Sequence, residues 1–141
     1  MNLLLTGGSG FLGQELLNLL LNIDAKIWVL SRKHSRLQLI EKYKNYPQVT
    51  VVAGDITSPE VIEDSEQAKE LIELVDVIVH SAGHYSLDGS YSDNFLNNVV
   101  GTQNMLFFSN RCKKLKSFHY VSTIAVAGDH PGQFAENNLE C

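Results

Sequence analysis

Four glycines, Gly7, Gly8, Gly10 and Gly13, follow the apolar run Leu3-Leu4-Leu5 and precede an amphipathic stretch. The chemistry of such a string is anion binding. Glycine turns the backbone sharply off a strand, its missing side chain lets phosphate oxygens approach, and the helix that follows offers unpaired N–H groups and a positive dipole end. Two registers fit: Gly8-Ser9-Gly10-Phe11-Leu12-Gly13 satisfies G-x-G-x-x-G, and Thr6-Gly7, Gly10 and Gly13 satisfy the wider T-G-x-x-G-x-x-G spacing. The ligand that suits either register is a dinucleotide pyrophosphate. Metal chemistry is not expected, because His34, His80, His84, His119 and His130 show neither an H-E-x-x-H pattern nor a cysteine at ligand spacing. Cys112 and Cys141 form no disulfide framework, which predicts two free thiols in a reducing compartment.

The elements that must position the glycines read as alternating strands and helices. Leu12, Leu16, Leu19 and Leu20, with Leu17 beside them, predict a helix over 11–21 laid on a sheet, with Gln14, Glu15 and Asn18 facing away. Lys26-Ile27-Trp28-Val29-Leu30 predicts the second strand and completes a β-α-β unit of about 30 residues. A helix over 35–45 should bury Leu37, Ile40 and Tyr43 before Pro47 stops it. Val49 to Ala53 is the third strand, 66–74 a further helix, and Val75 to Val79 the fourth strand. Asp93 or Asn94 opens the longest helix, which runs to about Cys112 with Phe95, Val99, Thr102 and Leu106 on its buried face and Phe107-Phe108 in the core; Ser117 to Val121 is the fifth strand. Right-handed crossovers then give an α/β fold with a doubly wound parallel sheet of order 3-2-1-4-5.

The chain has 141 residues, 44% hydrophobic and 19% charged, enough for one globular domain over its whole length. A net charge of −5 argues against a nucleic-acid surface, and no apolar run approaches the roughly 20 residues that span a bilayer. A cytoplasmic protein is expected, with no cleavable leader at its start.

Ligands of doubly wound sheets sit beyond the carboxyl ends of the strands, where strand order reverses. That rule singles out Gly7 to Gly13, Ser31-Arg32, Asp55-Ile56, Ser81 to His84 and Ser122-Thr123. An NAD-specific site places an acidic residue after the second strand to hold the ribose 2′-hydroxyl, whereas this chain has Ser31-Arg32-Lys33-His34, with Arg36 close behind. A guanidinium there suits a 2′-phosphate by charge and by its planar fork of donors, so NADP is expected over NAD.

With these segments in place, the chain resembles the extended short-chain dehydrogenase/reductase superfamily of Rossmann-fold enzymes. Within it, the chain is similar to the thioester-reductase branch: the male-sterility-type domains of fatty acyl reductases, carboxylic acid reductases and peptide-synthetase terminal reductases. The resemblance rests on Thr6 to Gly13, Ser31-Arg32, Gly54-Asp55-Ile56-Thr57, His80-Ser81-Ala82-Gly83, Asn98-Val99-Val100-Gly101-Thr102, and Tyr120 through Gly128. It implies a cofactor site formed by Thr6, Gly7, Ser9, Gly10, Phe11, Leu12 and Gly13, with Ser31 and Arg32 at the 2′ position. Asp55 and Ile56 would flank the adenine, Ser81, Ala82 and Gly83 would line the phosphate and ribose path, and Asn98 would support the site from the long helix. Thr123 aligns with the family's catalytic Ser/Thr, whose hydroxyl donates to a substrate carbonyl oxygen; Ser122 is the neighbouring candidate. His84-Tyr85, by their place after the fourth-strand turn, read first as an exposed loop and second as a border of the substrate entrance.

The family's general acid is a Tyr with a Lys four positions on, and none of Tyr43, Tyr46, Tyr85, Tyr91 or Tyr120 has that Lys. The expectation is therefore a fold truncated after the fifth strand: the NADP(H)-binding portion of a longer reductase of carbonyls or acyl thioesters, turning over little by itself. A nucleotide-sugar epimerase or dehydratase, a ketone or aldehyde reductase, and a non-catalytic NADP(H)-binding module are the alternatives. The uncovered fifth-strand edge would then permit self-association.

Overall fold

A computed structural model describes residues 1–84 and 90–137, so Tyr85 and Cys141 lie outside the described residues. Five parallel strands form one sheet in the order β3-β2-β1-β4-β5: β1 is Asn2–Thr6, β2 Lys26–Ser31, β3 Val49–Ala53, β4 Val77–His80 and β5 Ser117–Tyr120. Register brings the carboxyl ends into one row. Thr6 pairs with Leu30 on one side and His80 on the other, Ser31 with Ala53, and His80 with Tyr120.

Because successive side chains point to opposite faces, each strand divides its apolar residues between two cores. Leu3, Leu5, Ile27 and Val29 pack with Leu17 of α1 (Phe11–Leu20) and with Leu39 and Tyr43 of α2 (Lys33–Tyr43). On the opposite face Leu4, Trp28, Val52 and Ile78 pack with Leu71 of α3 (Ser65–Leu74) and with Met105 and Phe108 of the long helix. Asp64 caps α3, its side chain accepting the Gln67 N–H at 2.7 Å. The long helix starts after Ser90, which accepts the Asp93 N–H, and has three segments: α4 (Tyr91–Asn94), a π-helical turn at Phe95–Val100, and α5 (Gly101–Arg111). No helix among the described residues is long and apolar enough to cross a membrane.

The strand order is as expected, but three helices depart in part from their expected faces. In α1 Leu16, Leu17 and Leu20 pack on the sheet as expected, while Leu12 and Leu19 are exposed and Gly13 is buried, because contact at Gly13 sets the helix against the preceding turn. In α2 Ser35, Leu39 and Tyr43 are buried at a spacing of four; Leu37 is 78% exposed and Ile40 also faces solvent. There the hydroxyl pair of Ser31 and Ser35, 3.0 Å apart, fixes the rotation. In the long helix Gly101, Asn104, Met105, Phe108 and Ser109 are buried, whereas Phe95, Val99, Leu106 and Phe107 are exposed. The π turn adds a residue to one turn, so no single 3.6-residue period describes both sides of it.

Candidate functional site

The row of strand ends opens into a cleft of about 190 Å³. From β1 and its turn come Thr6, Gly7, Ser9 and Gly10; from β2 and α2 come Leu30, Ser31, Arg32 and Ser35. The opposite side is formed by Gly54, Asp55 and Ile56 after β3, by Ser81, Ala82 and Gly83 after β4, and by Asn97 of the π turn. Eleven of the expected cofactor-binding residues are thus brought together here: Thr6, Gly7, Ser9, Gly10, Ser31, Arg32, Asp55, Ile56, Ser81, Ala82 and Gly83.

Gly7 has φ of +77°, and a Cβ there would lie 2.6 Å from the Ala82 nitrogen. A side chain is therefore excluded twice, by backbone conformation and by the close approach of the β4 turn. Gly10 is the residue before α1, its N–H donating to the Gly7 carbonyl at 2.9 Å. Behind them Gly13 packs so tightly that a Cβ would meet the Gly7 oxygen at 2.1 Å. The wider of the two glycine spacings accordingly describes the turn, and Gly8 instead points into the core against Val29 and Leu17. No side chain caps α1 and no acidic residue occupies its first turn, so the N–H groups of that turn have no side-chain acceptor, and the turn begins at Gly10 on the cleft lining.

The second helix start beside the cleft is also uncapped. Arg32 precedes α2, whose first turn contains Lys33, His34 and Arg36 and no acid. Cations at a helix N-terminus oppose the dipole by several tenths of a kcal/mol each, an arrangement that a bound anion would reverse. Arg36 itself turns away to Glu63, with Nη2 2.8 Å from Oε1.

Asp55 combines a turn with a place in the cleft: its Oδ1 accepts from the Thr57 N–H and hydroxyl, both at 2.9 Å. Ile56 is largely buried, and its carbonyl accepts from the Asn104 side chain at 2.8 Å. Ser81 donates its hydroxyl to the Thr6 carbonyl at 2.9 Å, and the Ala82 N–H donates to the Thr6 hydroxyl oxygen at 3.1 Å. Beneath them His80 is fully buried, and burial lowers its pKa to about 4, so the imidazole is neutral near pH 7. Cys112 is a buried free thiol whose pKa burial raises to about 11, which makes it inert.

Residues 5–141 match the NAD-binding family described as male sterility protein. The chain belongs to that family. It is 28% identical to fatty acyl-CoA reductase 2, chloroplastic, of Arabidopsis thaliana over 94% of its own length and 26% of that protein's. It is 30% identical to a trifunctional UDP-glucose 4,6-dehydratase/UDP-4-keto-6-deoxy-D-glucose 3,5-epimerase/UDP-4-keto-L-rhamnose-reductase of the same plant, over 99% of the chain and 21% of the relative. Among solved structures, the terminal R domain from the myxalamid PKS-NRPS biosynthetic pathway superposes with a TM-score of 0.76 at 30% identity, covering 89% of this chain and 35% of that one. The chain therefore spans about a fifth to a third of the length of these relatives. Membership makes the domain NAD(P)-binding in class, and the glycine turn and uncapped helix start beside the strand-end cleft fit such a group.

Six expected residues of this male-sterility-type domain lie outside the cleft lining. Phe11 and Leu12 are on the exposed side of α1, and Gly13 is beneath the turn. Asn98 clamps the His84 main chain instead, accepting its N–H at 2.7 Å and donating to its carbonyl at 2.8 Å. Ser122 and Thr123 are exposed after β5, and the Thr123 hydroxyl oxygen accepts the Ala125 N–H at 3.2 Å as the cap of a short 3-10 turn, Ile124–Ala127. Leu30, Ser35 and Asn97 line the cleft without having been singled out, and Gly54 was named only within its motif. The strand-end rule reaches Leu30 and Gly54; nothing in the sequence marks the π turn that aims Asn97.

Proposed function

We propose that the chain is the NADP(H)-binding portion of an oxidoreductase that reduces a carbonyl or acyl thioester. The observation that supports the choice of NADP is Arg32 at the cleft, directly before an uncapped helix whose first turn is basic and free of carboxylate. Arg32, with the N–H groups of α2, would hold the 2′-phosphate, and the N–H groups of α1 would hold the pyrophosphate. Asp55 and Ile56 would border the adenine, and Ser81, Ala82 and Gly83 the ribose and phosphates. NADPH supplies the hydride when bound. Thr123, with Ser122 beside it, would donate its hydroxyl hydrogen toward the substrate oxygen while its oxygen still accepts the Ala125 N–H. A cytoplasmic setting suits the buried free Cys112 thiol.

The experiment is a melting curve of the chain with NADPH or NADH, repeated with Arg32→Ala. NADPH should stabilise the wild type more than NADH does, and the variant should lose that preference while keeping its response to NADH. Equal loss for both dinucleotides would sink the 2′-phosphate assignment. The similarity to the trifunctional UDP-glucose 4,6-dehydratase supports a second reading, a nucleotide-sugar enzyme with the same cofactor half. Stabilisation by UDP-glucose, and none by an acyl-CoA, would favour it.

A further inference from the structure

We propose that His80 is a positioning residue: held as the neutral ring protonated at Nε2, it ties the cleft wall at Thr6 and Ala82 to the long helix at Thr102. The proposal rests on reading the cleft as the dinucleotide site. Its geometry is a single file of hydrogen bonds under the cleft floor. The Ala82 N–H reaches Thr6 Oγ1 at 3.1 Å, Thr6 Oγ1 lies 2.7 Å from His80 Nδ1, and His80 Nε2 lies 3.2 Å from Thr102 Oγ1. Thr102 Oγ1 then reaches the Asn98 carbonyl at 2.7 Å.

The Asn98 end of this file fixes the direction of the bond at Nε2, and with the ring neutral the bond at Nδ1 follows. An amide N–H can only donate and a carbonyl can only accept. Thr102 therefore spends its one hydroxyl hydrogen on Asn98 and presents lone pairs to the ring, so Nε2 must bear the proton. Thr6 accepts from Ala82, and its hydrogen goes to the bare Nδ1. The opposite neutral tautomer would set the Nε2 lone pair against the Thr102 oxygen. An imidazolium would leave the Thr6 hydroxyl hydrogen without its acceptor, in a place where Thr6 and His80 are both buried. The low pKa of the ring agrees with the neutral state. The rings of Tyr120 and Phe118, with centroids 5.6 and 6.1 Å away, hold the imidazole plane from the adjacent strand.

What the file joins explains why a polar group occupies a core position. At one end are Thr6 and Ala82, both on the cleft wall; at the other is the π turn, which places Asn97 at the cleft and Asn98 on the His84 main chain. A leucine at position 80 would fill the volume but leave the Thr6 and Thr102 hydroxyls to find other partners. The ring sets the spacing between strand end and helix, and thereby the width of the cleft.

Two measurements test this on the same chain. Ring 15N shifts of the histidine-labelled protein at pH 7 should show His80 neutral and protonated at Nε2; a ring protonated at Nδ1, or at both nitrogens, overturns the assignment. NADPH affinity is then compared, well below the melting temperature, for wild type, Thr102→Val and Thr102→Ser. Valine keeps the shape and removes the hydroxyl, and NADPH binding should weaken about tenfold, the scale of one buried hydrogen bond. Serine should restore it to within about twofold, since its hydroxyl is retained. A folded Thr102→Val that binds NADPH as the wild type does overturns the positioning role. A wild type that binds neither NADPH nor NADH overturns the cleft reading, and the positioning role with it, whatever tautomer the ring shows.

Discussion

His80 illustrates how one buried side chain couples stability to pH. Its folded pKa of about 4 lies below the ordinary 6.5, so between these values the unfolded chain takes up a proton that the folded chain refuses. The contribution is complete above pH 6.5 and is lost as pH falls toward 4; its size is on the order of 3 kcal/mol, from the shift in pKa. Urea unfolding at pH 7 and pH 4.5 should therefore show a larger acid loss for wild type than for His80→Asn, in which the carboxylates still titrate but the ring does not. Identical acid losses would mean that the ring is not desolvated as described. Nothing in the local pattern marks this role: a histidine at a strand end reads the same whether it faces solvent or core. By contrast the place of Arg32 at the cleft was legible, because it depends only on the strand end before it, which follows from local pattern.

Among the elements, strands proved easier to read than helix faces, for a physical reason. In a parallel sheet both faces are buried, so a continuous apolar run suffices and no choice of face has to be made. Helices must choose, and here close contacts decide against the larger side chains. The leucines of α1 outnumber Gly13, yet Gly13 is the position pressed onto the Gly7 carbonyl, and Leu12 and Leu19 turn to solvent in consequence. Gly13→Ala separates the competing terms. Helix propensity alone favours alanine by about 1 kcal/mol. A Cβ placed 2.1 Å from backbone must displace the helix or the turn, at a cost of about 1–3 kcal/mol typical of overpacking. Net destabilisation is expected, together with weaker NADPH binding, because the displaced atoms belong to the phosphate turn. A melting temperature raised by the substitution would show that propensity dominates and that the turn has room. The π turn at Phe95–Val100 was beyond any periodicity argument, since the pattern on each side of it is regular and only their relative phase is not.

Across the whole molecule, the cleft gathers residues from the ends of β1, β2, β3 and β4 and from the long helix, while Ile124–Ala127 contributes no buried residue and no cleft residue. A ligand there binds only a chain in which those strand ends are aligned, so its free energy of binding is added to the entire sheet rather than to one loop. At 100 times the dissociation constant that addition is about 2.7 kcal/mol, enough to raise the melting temperature by about 9 °C for a domain of this size. Hydrogen exchange with saturating NADPH should accordingly slow amides throughout the central strands and at the starts of α1 and α2. The 124–127 turn should exchange as fast as before, unless substrate also engages Thr123. Protection confined to the glycine turn, with the strands unchanged, would mean that the cleft walls are not held as one unit and that the tie through His80 does not transmit binding to the sheet.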